Sequence, residues 1–179
     1  EFDEKGNVVS SQTYQKGVLT GQGIVDTDGK RRGYFKEFYP DNSLRAEGIF
    51  VEGQRSGEWK FYYQNGKVQE VGNYTDGQPD GIWIWYYENG QKQIEEQFYK
   101  GMENGPYVEY DTKGNTIVTG TYFDGMKNGK WTEQIGDMRT QGEYRNDKQV
   151  GEWVSYYNND KMGFRGDFNA GYPDGGHYL

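Results

Sequence analysis

The sequence predicts an all-β fold: an elongated single-layer antiparallel meander of repeated β-hairpins, about seven units of 24 residues. Three observations carry this expectation. Gly33, Gly57, Gly81, Gly105, Gly129, Gly151 and Gly175 are spaced 24, 24, 24, 24, 22 and 24 residues apart, as in a stacked array whose short units bury apolar surface only against their neighbours. Aromatic residues form 17% of the 179-residue chain, within an apolar content of only 32%. Rings in register, more than aliphatic side chains, must therefore supply the packing. Turn pairs such as Asn65-Gly66 recur between β-prone runs, which is the strongest short-range hairpin signal.

Taken in order, the chain reads as one repeat domain over 1–179. It opens with a partial repeat at 1–20 and a half-unit at 21–32. Full repeats follow at 33–56, 57–80, 81–104, 105–128, 129–150 and 151–174, and a terminal stub at 175–179 closes the chain. The first segment enters the pattern partway through a unit, since Gly6, Tyr14, Gly17 and Gly21 match Gly66, Tyr74, Gly77 and Gly81. With a start at Glu1-Phe2, this suggests a removed leader and an exported protein, periplasmic or at the cell surface. The half-unit contains Asp28-Gly29 and either pairs normally or bends the sheet.

Each full repeat reads as a hairpin. Asp41-Asn42, Asn65-Gly66, Asn89-Gly90, Lys113-Gly114 and Asn159-Asp160 are taken as two-residue type I′ loops, which need positive φ at both positions. Residues facing each other then have numbers adding up to the sum of the turn pair. The rule places Phe35 opposite Gly48, Trp59 opposite Gly72, Trp83 opposite Glu96, Tyr107 opposite Gly120 and Trp153 opposite Gly166. The shortened sixth unit keeps the pattern with Trp131 opposite Gly142 about a turn at Gly136-Asp137. A ring laid across a cross-strand glycine covers the backbone which that glycine exposes. These residues form the expected structural ladder.

Alternation along a strand assigns faces. Face one carries Trp59, Phe61, Tyr63, Val68, Gly72 and Tyr74 and is the expected packed face. Face two carries Lys60 and one aromatic row: Phe38, Tyr62, Tyr86, Tyr110 and Tyr156, whose members should stand about 10 Å apart. A strand bulge after the tryptophan would move the row to face one. Regularly spaced amphipathic rings offer large contact area at low entropic loss, so this row is the candidate partner-binding surface.

The pattern Gly72-x-Tyr74-x-x-Gly77-x-x-x-Gly81-x-Trp83 resembles the MORN repeat family, and the following Tyr86-Tyr87-x-Asn89-Gly90 resembles its bacterial variant. Copies recur at Gly48, Phe50, Gly53, Gly57 and Trp59, and at Gly120, Tyr122, Gly125, Gly129 and Trp131. Departures are Glu96 for the strand glycine, Tyr107 for tryptophan, Asp147 for the loop glycine and the short sixth unit. The resemblance implies an elongated sheet of hairpins used for protein association. It also brings two family associations, contact with membrane lipid and an antitoxin-like role in a toxin–antitoxin pair.

Composition narrows the chemistry. A net charge of −8 opposes nucleic acid and anionic membranes at long range. Without cysteine there is no disulfide framework or thiolate metal site. A lone His177 cannot assemble a His-based triad or a multi-histidine site, and no phosphate-loop pattern occurs. Asp26-Thr-Asp28-Gly29 starts like a calcium loop, but Lys30 and Arg31 stand where an oxygen ligand and a glycine are required, so it reads as a tight turn. Glu37, Glu109 and Glu133 share one repeat position. The last two, at about 10 Å, stand near the upper end of the ~6.5–9.5 Å expected for an inverting carboxylate pair, yet read as solvated or tyrosine-bonded acids.

The function expected is therefore a non-enzymatic scaffold without cofactor or metal, binding a protein through the aromatic sheet face, with self-association possible. Alternatives are a carbohydrate-binding module of an exported protein and an antitoxin-like protein.

Overall fold

The computed structural model describes residues 1–175, so His177 lies outside the described residues. The protein is all-β, and its contacts cluster into two compact units, Glu1–Gly90 and Gln91–Leu179. The first unit contains β1 (Ser11–Gln15), β2 (Val18–Val25), β3 (Arg31–Phe38), β4 (Leu44–Val51), β5 (Gln54–Tyr62), β6 (Val68–Thr75) and β7 (Gln78–Tyr86). The second contains β8 (Lys92–Tyr99), β9 (Met102–Tyr110), β10 (Thr116–Phe123), β11 (Met126–Ile135), β12 (Met138–Arg145), β13 (Lys148–Tyr157), β14 (Met162–Asn169) and β15 (Tyr172–Pro173). Within each unit every strand pairs antiparallel with its chain neighbours, as chain-order hairpins require. The half-unit pairs normally, with Gly21 opposite Glu37 and Gln22 opposite Lys36. Its Asp26 carbonyl accepts the Gly29 N–H at 3.0 Å and its Asp26 carboxylate accepts Lys30 N–H at 2.8 Å, which is a tight turn.

Two kinds of turn alternate, and they are distributed differently from the sequence expectation. The type I′ signature, positive φ at both central residues, occurs in the links between hairpins: Asp76 and Gly77 have φ of 51° and 77°, and Val51 faces Gln54 across Glu52-Gly53. At the Asn-Gly sites only the second residue is positive. Gly66 (φ 80°) donates to the Tyr63 carbonyl at 2.9 Å, while the Asn65 side chain accepts Lys67 N–H at 3.0 Å. This is a type I turn followed by a left-handed residue, the three-residue hairpin loop that carries a bulge. Asp41-Asn42, Lys113-Gly114 and Asn159-Asp160 follow the same rule, with positive φ at Asn42, Gly114 and Asp160 alone. Only Gly136 is positive in the Gly136-Asp137 loop, across which Ile135 faces Met138; this matches type II′ rather than I′.

The pairings Phe35–Gly48, Trp59–Gly72, Tyr107–Gly120, Trp131–Gly142 and Trp153–Gly166 are present. Trp131–Gly142 has an unbroken ladder to its two-residue loop; the others survive the change of turn because a compensating bulge lies between pair and loop, as where Phe61 faces Glu70, then Tyr62 faces Val68, leaving Gln69 extra on β6. That bulge has a consequence for faces. Val68, expected on face one, lines a recess together with Lys60, Val71 and Tyr86 of face two.

Gly48, Gly72, Gly120 and Gly142 are not covered by the rings they pair with. A Cβ on Gly72 would run into the Trp83 indole, one on Gly48 into Trp59, one on Gly120 into Trp131 and one on Gly142 into Trp153. Trp59, Trp83, Trp131 and Trp153 thus lean across the link onto the preceding hairpin, eleven residues back, and Phe35 likewise covers Gly21 and Gly23. The cause is a second irregularity: Glu47 faces Lys60 and Ile49 faces Ser56, so Gly48 stands opposite Gly57, Glu58 and Trp59 together. The broken ladder leaves carbonyls for the indoles. Trp59 Nε1 donates to Ile49 O at 3.0 Å, Trp83 to Asn73 O at 3.1 Å and Trp153 to Glu143 O at 3.2 Å.

This geometry stitches hairpin to hairpin. In the first unit, Phe35, Ala46, Phe50 and Trp59 are fully or nearly fully buried. Phe50 meets Trp59 edge-on at 5.0 Å, and Tyr74 meets Trp83 the same way at 5.0 Å. In the second, Tyr122 meets Trp131 at 5.2 Å and Tyr144 meets Trp153 at 5.0 Å. Each such pair contributes roughly 0.5–1.5 kcal/mol beyond area burial. A second stitch runs along the turns: Tyr39 Oη donates to Tyr62 O at 2.8 Å and Tyr63 Oη to Tyr86 O at 2.6 Å.

Candidate functional site

Face two of the first unit is organised around Glu47. It pairs with Lys36 on β3 and Lys60 on β5, so these three side chains stand in one row. Its carboxylate accepts hydrogen bonds from the phenols of both Tyr34 and Tyr62. Burial by itself would raise the Glu47 pKa, but the two phenols and the Lys36 and Lys60 charges outweigh it and hold the carboxyl below its ordinary value. Burial together with the bound carboxylate raises both phenols, Tyr34 to about 12 and Tyr62 well above its usual value. Both are neutral donors at physiological pH, and the Tyr62 ring is anchored by its own hydroxyl.

Tyr62 stays on face two because the extra hairpin residue, Gln69, is on the return strand and does not rotate it. Tyr86 borders a shallow recess of about 560 Å³ lined by Lys60, Lys67, Val68 and Val71. Lys67 Nζ closes one rim by donating to the Glu88 carbonyl at 2.7 Å. Tyr62 and Tyr86 thus stand in the first unit on the two successive outgoing strands β5 and β7, with Phe38 on β3 facing Leu44. Tyr110 and Tyr156 belong to the second unit, facing Thr116 and Arg139. All five rings are half-buried.

On face one the carboxylates at the shared repeat position are tied down separately. Glu37 is 3% exposed and receives Arg31 at 2.7 Å, Arg45 at 2.8 Å and Arg55 at 3.2 Å. Glu109 accepts the Tyr107 phenol at 3.1 Å, and Glu133 is paired with Lys127 at 3.1 Å. A general acid and base need a cleft between them and complementary environments. Here each carboxylate is engaged by its own neighbour. Among the described residues no group of three or more His, Cys, Asp or Glu side chains is placed to hold a metal ion.

The departure at Glu96 and Tyr107 is the second unusual site. Tyr107 faces Gly120 on one side and Glu96 on the other, where a regular repeat would offer glycine to a tryptophan. Half-burial, reinforced by Glu103, raises the Glu96 pKa to about 7. The folded state therefore holds this proton more tightly than the unfolded chain. Stability should fall as pH rises from about 4.5 to about 7 and stay reduced above that. Because the group is half-exposed, screening reduces the effect to on the order of 1 kcal/mol. Urea titrations at pH 5 and 8 are expected to show this loss in the native chain and its reduction in Glu96→Gln, Glu70, whose pKa burial also raises, supplying the remainder. An equal loss in both would remove Glu96 as the source.

Residues 55–76 and 79–100 match the model of the MORN repeat variant family. No curated protein matches the chain at a significant level.

Proposed function

We propose that this chain, a repeat protein whose residues 55–76 and 79–100 are MORN-variant units, is a non-enzymatic scaffold that holds a protein partner on face two. One observation carries the reading: the Tyr62 ring is fixed by its hydroxyl on Glu47, and its strand partner Val68 lines an apolar recess bordered by Tyr86. A ring immobilised before binding loses little entropy on contact, and such rings, in or beside small pockets, are typical binding hot spots. In the first unit, Tyr62 and Tyr86 stand on the successive outgoing strands β5 and β7.

The test is capture from the native cell by the wild-type chain and by a Tyr62→Ala/Tyr86→Ala variant. The protein retained by the former is identified and titrated against both. Binding is expected to weaken by about tenfold or more, whereas Tyr62→Phe, which keeps the ring, should fall in between. Undiminished affinity in the double variant, or a collapse of its melting transition with binding to the folded fraction intact, would assign both rings to the fold.

A further inference from the structure

Register on face one shows a charge asymmetry between the two units that the sequence pattern hides. In the first unit, Arg31 lies over the Phe35 and Phe50 rings at 4.7 and 5.3 Å, and Arg55 over Trp59, Phe61 and Tyr74 at 4.4, 5.1 and 5.5 Å. With Arg45 they surround Glu37, and Glu70, facing Phe61 and Trp85, is a second carboxylate of that surface. Three guanidinium groups stand against two carboxylates, one of them buried.

The second unit reverses the balance at the same repeat positions. Glu103, facing Phe98, takes the place of Arg31 and Arg55, and Glu96 takes that of the strand glycine. Glu109 and Glu133 flank Val118 from either side. Lys127, 4.2 Å over Trp131, stands as a cation beside Glu133, one of these four carboxylates. Both surfaces also present half-buried rings: Phe61, Tyr74 and Trp85 on one, Tyr107, Tyr122 and Tyr144 on the other.

We propose that face one of Glu1–Gly90 docks on face one of Gln91–Leu179 in a second copy of this chain, with Arg31, Arg45 and Arg55 opposed to Glu96, Glu103, Glu109 and Glu133. A second copy fits for two reasons. The charges are complementary, which steers association and rejects like-with-like contact. The ring rows also share one repeat, two strands at about 4.8 Å each, so they can interdigitate over several units without losing step. An unrelated surface would have to match both charge and period. This contact uses the face opposite to that of the Tyr62 site, so either can fail alone.

Mass measurement by light scattering tests the proposal on the full chain. At about 50 mM salt, where screening is weak, a mass of at least twice the 20.7 kDa protomer is expected. At about 1 M salt the dissociation constant should rise at least tenfold. Arg45→Glu and Glu103→Arg should each shift the chain toward protomer, and mixing the two variants should restore association, because each then supplies the charge the other lacks. Arg45→Gln and Glu103→Gln give the same reading with half the charge change if a swap disturbs folding, which the melting temperature monitors. A protomer mass at low salt, assembly indifferent to salt and to these substitutions, or folded swaps that fail to recombine would each overturn the proposal.

Discussion

Gly72→Ala is expected to destabilise the first unit by about 3 kcal/mol, the upper range for forcing a methyl group into a well-packed site. The added carbon would overlap the Trp83 indole, which is 2% exposed and held by its bond to Asn73 O. Neither partner can yield cheaply: moving the ring breaks the bond and the 5.0 Å contact with Tyr74, and moving the strand breaks the Trp59–Gly72 pairing. A double-mutant cycle identifies the clash. Combined with Trp83→Ala, which removes the obstacle, Gly72→Ala should show a coupling of about 1–3 kcal/mol. Combined with Trp59→Ala, its hairpin partner, the coupling should be smaller, because the added carbon meets the Trp83 ring first. Urea unfolding measures both. The reverse ranking would restore the simpler picture, in which each ring covers the glycine it faces.

That picture is what the sequence offers, and the reason it misleads is specific. The cross-strand arithmetic depends only on turn centres, and it places Trp59 opposite Gly72 although the loop at Asn65-Gly66 differs in type. Extra residue and altered turn cancel before the ladder reaches Phe61. The links carry no such cancellation. Across Glu52-Gly53 the pairing jumps between Ile49–Ser56 and Glu47–Lys60, and nothing in residue spacing announces a jump where one glycine faces three residues. Everything that depends on that step was therefore illegible: the lean of the indoles, the bond from Tyr62 to Glu47, and the reach of Arg55 to Glu37. Period, strand order and the identity of the buried rings were legible because each repeats.

Trp59→Ala is expected to cost about 3–5 kcal/mol, as truncation of a fully buried aromatic does. Trp59 is 0% exposed, packs on Phe50 and Tyr74, lies beneath Arg55 and donates to Ile49 O. Comparison with Trp131 separates the contribution of the ring from that of its N–H. Trp131 is equally enclosed, 1% exposed and stacked on Tyr107 at 5.7 Å, yet its Nε1 has no hydrogen-bond partner among the described residues. An enclosed donor without an acceptor costs about 1–3 kcal/mol. Trp131→Phe removes that liability along with part of the ring and should remain within about 1 kcal/mol of the native chain. Trp59→Phe strands the Ile49 carbonyl as well and should cost about 2 kcal/mol or more. The orphaned indole adjoins Tyr107, the residue that replaces tryptophan in the preceding unit, so the irregularity there extends one repeat further along the sheet. Equal penalties for the two phenylalanine variants in urea unfolding would show that the Trp131 N–H is satisfied and that the departure at Glu96 and Tyr107 stays local.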